Sequence, residues 1–237
     1  NSPAGTTTMD GNSAGSVSPT STLDLDLGGM TFTTITLNGD EIIVNGSGAV
    51  VDGSTVTITA AGAYDITGTL NNGQVRVDTA DEEDVILRLS GAQITNLNSA
   101  PIYVVTAKDV FIVLADGTNN AVTDGSEYTH GLWSTDEPEA AIYSTADLTI
   151  GGNGSLTGQA NYNNGSVGKD DLTIAGGGIT VNAVNDGIKG RDSLLVTSGA
   201  ITITAGADGM QASNDEDAEK GTVSIEGGMV TITAALD

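Results

Sequence analysis

The sequence predicts an all-β chain folded as a single-stranded parallel β-helix, a solenoid of short stacked coils. Three observations carry this. A pattern recurs every 22 residues, each copy repeats the same residue classes at the same places, and Thr, Val, Ile and Gly dominate where helix formers are scarce. With 33 Gly and only 4 Pro, turns are expected to use positive φ rather than proline corners.

The recurrence is clearest in the C-terminal half. Asp171-Leu172-Thr173-Ile174, a Gly pair, Ile179-Thr180-Val181 and Asn185-Asp186-Gly187-Ile188-Lys189 form one copy. Twenty-two residues later come Ser193-Leu194-Leu195-Val196, Gly199, Ile201-Thr202-Ile203 and Ala207-Asp208-Gly209-Met210-Gln211. The next copy, Val223-Ser224-Ile225 with Gly227-Gly228 and Val230-Thr231-Ile232, is offset by 29, and removing a seven-residue insertion, 214–220, restores 22. Columns can therefore be aligned: Ala141, Gly165, Gly187, Gly209, then Ile142, Ser166, Ile188, Met210, and before them Ala140, Asn164, Asp186, Asp208 and, by analogy, Asp237. A β-sandwich would show short strands and turns without demanding one column chemistry every 22 residues. Leu172, Leu194 and Val223 are expected to share one interior column.

Upstream strands are less regular: Val56-Thr57-Ile58, Tyr64-Asp65-Ile66, Val75-Arg76-Val77, Val85-Ile86-Leu87, Ile102-Tyr103-Val104 and Val110-Phe111-Ile112. From about Met30 to the end, roughly nine coils of about 22 to 25 residues are expected, a body roughly 40 Å long at about 4.8 Å per coil. Residues 31–237 form this domain. Residues 1–30 begin with a Ser/Thr/Gly-rich stretch and are expected to be a flexible linker, tethering the domain to a cell surface; a fragment boundary explains them equally well. Residues 115–139, with His130 and Trp133, are expected to be a loop, as is the acidic insertion 214–220.

The charge excludes some partners. With 31 acidic and 7 basic residues the net charge is −24, a surface that repels nucleic acid and anionic lipid. No apolar run approaches the roughly 18 residues that span a bilayer. Without cysteine the fold has no disulfide braces and no thiol chemistry.

In a β-helix equivalent positions stack, so Asp186, Asp208 and Asp237 would lie above one another beside Asn164. Two carboxylates about 4.8 Å apart repel by roughly 3.5 kcal/mol at an effective dielectric of 20. Protons or cations must relieve such a file, and hard oxygen ligands in a stiff frame favour calcium. The neighbouring column offers Asp170, Asp192 and Asn214, and the insertion adds Asp215, Asp217 and Glu219. Two or three calcium ions are expected. Against this, Asp-Gly and Asn-Gly are ordinary turn formers. Gly151-Gly152-Asn153-Gly154 and Asp24-Leu25-Asp26-Leu27-Gly28 match no calcium loop in full. A histidine triad would have to be built on His130, and no serine nucleophile motif accompanies it.

Tyr103 and Tyr143 follow Ile102 and Ile142, so they are expected to face outward. Below Tyr143 the column continues through Val167, Lys189 and Gln211. Such a strip, with Lys169, Arg191 and Trp133 as further candidates, would suit a sugar chain: rings stack on pyranose faces and cations pair with uronates. An ordinary solvated β-face explains it equally well.

Three segments, AAIYSTADLTI, NYNNGSVGKDDLTI and NDGIKGRDSLLV, followed by ADGMQASNDEDAEKGTVSIEGG, resemble the calcium-binding, carbohydrate-binding parallel β-helix domain of cellulolytic clostridia and other bacteria, whose fold is similar to pectate lyases. The resemblance covers about residues 35–237. It implies a right-handed helix, an extracellular or cell-surface location, several calcium ions, and binding of cellulose or polygalacturonate rather than catalysis. The positions matching it are Asn164, Asp170, Asp171, Asp186, Lys189, Asp192, Asp208, Asn214, Asp215, Asp217 and Glu219. One departure is Asn163-Asn164-Gly165-Ser166 where the pattern reads Asn-Asp-Gly-Ile; a neutral Asn there weakens a metal site. The leading expectation is thus a calcium-stabilised, carbohydrate-binding protein without a catalytic set. The alternatives are a calcium-dependent pectate lyase using Lys169, Lys189 or Arg191 as base, and a surface or filament subunit that self-associates through exposed coil ends.

Overall fold

The computed structural model describes residues 5–10 (backbone only), 27–129 and 138–235. Strand β1 (Gly5–Asp10) and a single 3-10 turn (Leu27–Gly29) precede the main body. Two antiparallel hairpins follow: β2 (Phe32–Gly39) with β3 (Glu41–Asn45), and β4 (Ala49–Asp52) with β5 (Thr55–Ile58).

From β5 onward the main-body pairings are parallel. The coils are β5 with β6 (Gly62–Leu70), β7 (Gln74–Asp78) with β8 (Val85–Asn96), and β9 (Ile102–Thr106) with β10 (Asp109–Leu114) and β11 (Asn119–Asp124). Then come β12 (Ala140–Ser144) with β13 (Asp147–Gly152) and β14 (Ser155–Ala160), β15 (Asn164–Gly168) with β16 (Asp171–Ala183), and β17 (Ile188–Gly190) with β18 (Ser193–Ala205). The last is β19 (Met210–Ala212) with β20 (Thr222–Ile225) and β21 (Met229–Ala234). The strands form a 13-stranded wide sheet and an 8-stranded narrow sheet, joined at corners into a parallel β-solenoid.

The solenoid makes about seven turns, not nine. Residues 32–52, counted as coils from their alternating pattern, are spent on the two hairpins. Alternation says which face of a strand is buried, but not whether its partner runs parallel or antiparallel.

The expected columns are present. Leu148, Leu172, Leu194 and Val223 stand in one register. The first three are buried; Val223 is 43% exposed because its coil has no coil beyond it in the described structure. Ile142, Ser166, Ile188 and Met210 form a second column. The inward side chains join in one core from Ile35 to Ala234. Each fully buried Leu or Ile contributes roughly 1.5–3 kcal/mol, so the frame rests on many equal increments.

Glycine is required at two kinds of corner. A Cβ at Gly187 would run into Ile203 Cγ2 and the Gly209 carbonyl, and Gly165 and Gly209 are hemmed in alike. Gly199 and Gly228 hold φ of 108° and 84° where the wide sheet bends, a region open mainly to glycine.

Two sequence-based expectations need correction. Asn119–Asp124, expected within a long loop, forms β11 between β8 and β14. Its one inward aliphatic, Val122, lies between Ile94 and Gly158, too short a pattern to read as a strand alone. Gly5–Asp10, expected within a flexible linker, forms β1 on the edge of β21. A terminal strand has unpaired N–H and C=O groups, and a Thr-rich segment readily supplies their partners.

Candidate functional site

The narrow sheet is flanked by two acidic corners in its C-terminal half. At the first corner Asn164, Asp186 and Asp208 stack, and the column starts from Ala140. The first two side-chain oxygens accept the backbone N–H of the next coil: Asp186 N–H donates to Asn164 Oδ1 at 3.1 Å and Asp208 N–H to Asp186 Oδ1 at 3.2 Å. Asn185 Nδ2 also donates to Asn164 Oδ1, at 2.9 Å, and Gln211 Nε2 donates to Asp208 Oδ2 at 2.6 Å. Lys189 Nζ stands 4.0 Å from Asp186 Oδ2. Asn164 and Asp186 are buried.

At the second corner Asp170 and Asp192 meet. Asp192 accepts from Lys220 Nζ at 2.5 Å and from Asn214 Nδ2 at 2.7 Å. Lys220, then Asn214, hold the Asp192 carboxyl down at about 2. Burial, then the Asp192 carboxyl and the charge of Asp147, push Asp170 up. The insertion is folded rather than loose: Asn214 Oδ1 accepts the N–H groups of Glu216 and Asp217, and Asp217 Oδ1 that of Glu219. Asn214 and Lys220 tie the insertion to Asp192; Asp215, Asp217 and Glu219 are exposed along it, and Arg191 pairs with Glu216 at 3.4 Å. Lys169 precedes Asp170 on the same corner, its N–H bound to the Ser144 carbonyl.

A third file was not anticipated as a file. Asp109 is in register with Asp147, and Asp171 N–H donates to Asp147 Oδ1 at 3.1 Å. Asp84 precedes Val85, the register partner of Val110, so it heads the same column. Lys108 Nζ joins Asp84 at 2.9 Å to Asp109 at 3.6 Å. Ser193 Oγ closes the file on Asp171 Oδ1 at 2.7 Å. Burial, then its acidic neighbours, push Asp147 up. The only signal in the sequence is an Asp-aliphatic dipeptide at the start of all four strands, spaced too unevenly to align by itself.

The outer strip of the narrow sheet runs Arg76, Tyr103, Tyr143, Val167, Lys189, Gln211. The register is as expected, but Tyr143 is only 2% exposed. It points away from the main core into a second cluster with Ala100, Ala140 and Val167, and the Tyr103 ring packs edge-on at 5.7 Å. A sugar ring therefore cannot stack on Tyr143. The accessible groups lie to either side: Arg76, 6.0 Å from the Tyr103 ring centre and paired with Asp78 at 2.8 Å, and Lys189 with Gln211. Trp133, His130 and Asp237 lie outside the described residues.

Asp124 is a buried acid that sequence reading missed. It accepts from Tyr128 Oη at 2.8 Å and from Asn161 N–H at 2.5 Å. Burial outweighs these bonds and raises its pKa; Tyr128, buried beside that charge, is raised too. Tyr128 stacks on Tyr162 at 3.9 Å.

Among the described residues no three carboxylate or imidazole groups converge closely enough to hold a metal by themselves. An ion at either corner would draw on two carboxylates and complete its shell with backbone, amide or ligand oxygens, which calcium accepts readily.

Residues 52–237 match the family described as carbohydrate-binding domain-containing protein. The chain belongs to that family. A carbohydrate-binding domain-containing protein of Acetivibrio thermocellus is 47% identical over 139 residues, 59% of this chain and 49% of the relative. The alignment thus spans about half the length of that relative. The structure of a polysaccharide lyase-like protein from C. thermocellum, a gadolinium derivative, superposes with a TM-score of 0.77 at 37% identity, covering 87% of this chain and 96% of the other. This family membership, together with the pectate-lyase-like solenoid, agrees with the resemblance drawn from the repeat segments. Among the described residues no helix is long and apolar enough to cross a membrane.

Proposed function

We propose that this carbohydrate-binding family member holds calcium at its two acidic corners and uses those ions, with Lys189, to bind an acidic plant cell-wall polysaccharide of the polygalacturonate type outside the cell. One observation carries the reading. The stacked oxygens at the first corner accept backbone N–H groups, a task that neutral Asn164 performs as well as Asp186. Capping therefore needs an oxygen and not a charge; Lys189, 4.0 Å from Asp186, offsets part of the charge on Asp186 and Asp208, and a cation would balance the rest. Asp170 and Asp192, in contact on the other side of the same strand row, add two carboxylates that share the single Lys220 charge beside Asp192. The similar solved structure is a gadolinium derivative, and gadolinium, like calcium, is a hard cation that takes oxygen ligands.

A chain of charge −24 repels an anionic glycan at long range. Calcium bridging protein and uronate carboxylates reverses that locally, with Lys189 between the two corners and Lys169 and Arg191 at the second. Retention on polygalacturonate should need calcium, weaken with salt as screening grows, and drop in Lys189→Ala. Retention on neutral cellulose should depend on Tyr103 and little on salt. No retention on either polymer in calcium at low salt would reject the reading.

The lyase alternative is favoured by the polysaccharide lyase-like neighbour and by lysines next to the acidic corners. It predicts ultraviolet absorbance from a 4,5-unsaturated product of polygalacturonate with calcium present, abolished by Lys189→Ala. The binding reading predicts none.

A further inference from the structure

We propose that β1 is exchanged between copies, so that β1 of one chain pairs with β21 of the next and joins solenoids head to tail. The wide sheet runs β1, β21, β18, β16, β13, β10, β8, β6, β2, β3. Within one chain, β1 therefore lies at the end of the solenoid opposite the point where its own chain enters, at β2. Seven strand steps separate β21 from β2 in that order, about 34 Å at about 4.8 Å each. The stretch from residue 11 to residue 31 can reach about 70 Å, so pairing within a chain is allowed but must travel the whole body.

Pairing with another copy needs no such journey. If the β2–β3 end of one solenoid sits on the β20–β21 end of another, the arm that leaves at Phe32 is already next to the acceptor edge. The strands agree in direction. β3 is antiparallel to β2, and β1 is antiparallel to β21, so β1 and β3 run alike and can sit side by side in one continuous sheet. The six residue pairs between β1 and β21, Gly5 with Ala234 to Asp10 with Met229, are the same whichever copy supplies the strand. Contacts cannot choose between the two arrangements; tether length and protein concentration do.

The two ends also carry matching apolar surface. Ile43, Val50 and Val51 are exposed on the N-terminal hairpins, and Val223 and Met229 on the last coil. Val223, in the inward column of Leu194, is one that stacking end on end would cover, whereas Ile43 alternates with core-packed Ile42 and Val44 and faces outward. The contact is heterologous and does not close, so it propagates as a filament.

The chain has no cysteine, which permits a clean test. Thr8 and Thr231 are register partners. Thr8→Cys chains and Thr231→Cys chains are prepared separately, mixed and oxidised, with each alone giving the background of random cross-linking. Exchange predicts a disulfide-linked heterodimer well above that background. The double variant Thr8→Cys/Thr231→Cys should give a ladder on a non-reducing gel that lengthens with protein concentration and collapses on reduction. A double variant that yields only internally linked monomer at every concentration, or no link at all, overturns the proposal. Sedimentation of the unmodified chain gives an independent reading: association must disappear when residues 1–10 are deleted, with circular dichroism showing the solenoid intact, and equal association of both chains would reject exchange. None of these readouts involves calcium or glycan.

Discussion

The two halves of the solenoid solve one problem with different chemistry. Every coil must satisfy the N–H groups at its corners. The N-terminal half does so mainly with neutral amides: Asn72 accepts from Leu97 N–H, Asn96 from Asn98 N–H, and Asn120 from the N–H groups of Gly91 and Ala92, with Asp81 taking Ala61 N–H. The C-terminal half gives the same task to Asp186, and packs Asp170 against Asp192 nearby. Where acids stack in the N-terminal half, Lys108 lies across Asp84 and Asp109, and Arg88 with Ser90 binds Asp65. Burial opposes ionisation of Asp65, but those bonds outweigh it and lower its pKa. The frame is thus indifferent to charge at its corners. In the C-terminal half Lys189, Lys220 and Arg191 offset part of the gathered charge, on Asp186, Asp192 and Glu216.

The sharpest contrast in stability is between the core and the terminal coil. Leu194→Ala should cost about 2–5 kcal/mol, because a buried, stacked side chain leaves a cavity. Val223→Ala, in the same column but exposed, should cost less than about 1 kcal/mol. Urea titration compares them, and equal losses would mean that the last coil is covered by something.

Next in size is the glycine column. Ala141, one coil before Gly165, already carries a Cβ, whereas Gly187→Ala forces Ile203 and the Gly209 carbonyl aside. An overpacking loss of about 1–3 kcal/mol is expected, and an unchanged midpoint would show that the coils spread freely.

The charge contrast itself is tested with Asp186→Asn/Asp208→Asn. Both caps survive, so without calcium the variant should melt at or above the parent. With calcium in hundredfold excess over its Kd, the parent should gain about 2.7 kcal/mol per ion bound only to the folded state, while the variant loses the gain from the first corner. If verified removal of metal leaves the parent's melting curve unchanged, the two halves differ in composition and not in function.

The smallest effect is the pH profile of the calcium-free protein. Asp147 and Asp170 have raised folded pKa values, so the folded state binds protons first and stability rises as pH falls towards the ordinary carboxylate range. Asp192, held at about 2, has the opposite sign: its contribution is complete above the unfolded value and is lost between about 4 and about 2. Thermal melts across that range should show a gain and then a loss. Lys220→Ala should reduce the Asp192 contribution, leaving the part held by Asn214.

The sequence by itself determined the solenoid, its inward columns and the two acidic corners. All three follow from a repeat in which equivalent residues must stack, and stacking needs only the spacing. It also exposed Asn164, Asp186, Asp208, Asp170 and Asp192 as neighbours, though they are far apart along the chain. What it could not determine depends on the partner across a gap. Phe32–Asp52 has the alternation of a coil, but the direction of its partner strand is not written in alternation, so the hairpins came as nine coils against seven. Tyr143 has the parity of an outward residue, yet it is buried by Ala100, Ala140, Val167 and Tyr103, an event on the outer face that period-two logic does not see. The fourfold file of Asp84, Asp109, Asp147 and Asp171 follows spacings of 25, 38 and 24 residues, too uneven to align before the strands themselves do so. Only the tertiary structure decides which oxygens already have hydrogen-bond donors and which carboxylates lie beside a lysine or arginine, because that depends on distances between coils and not on order along the chain.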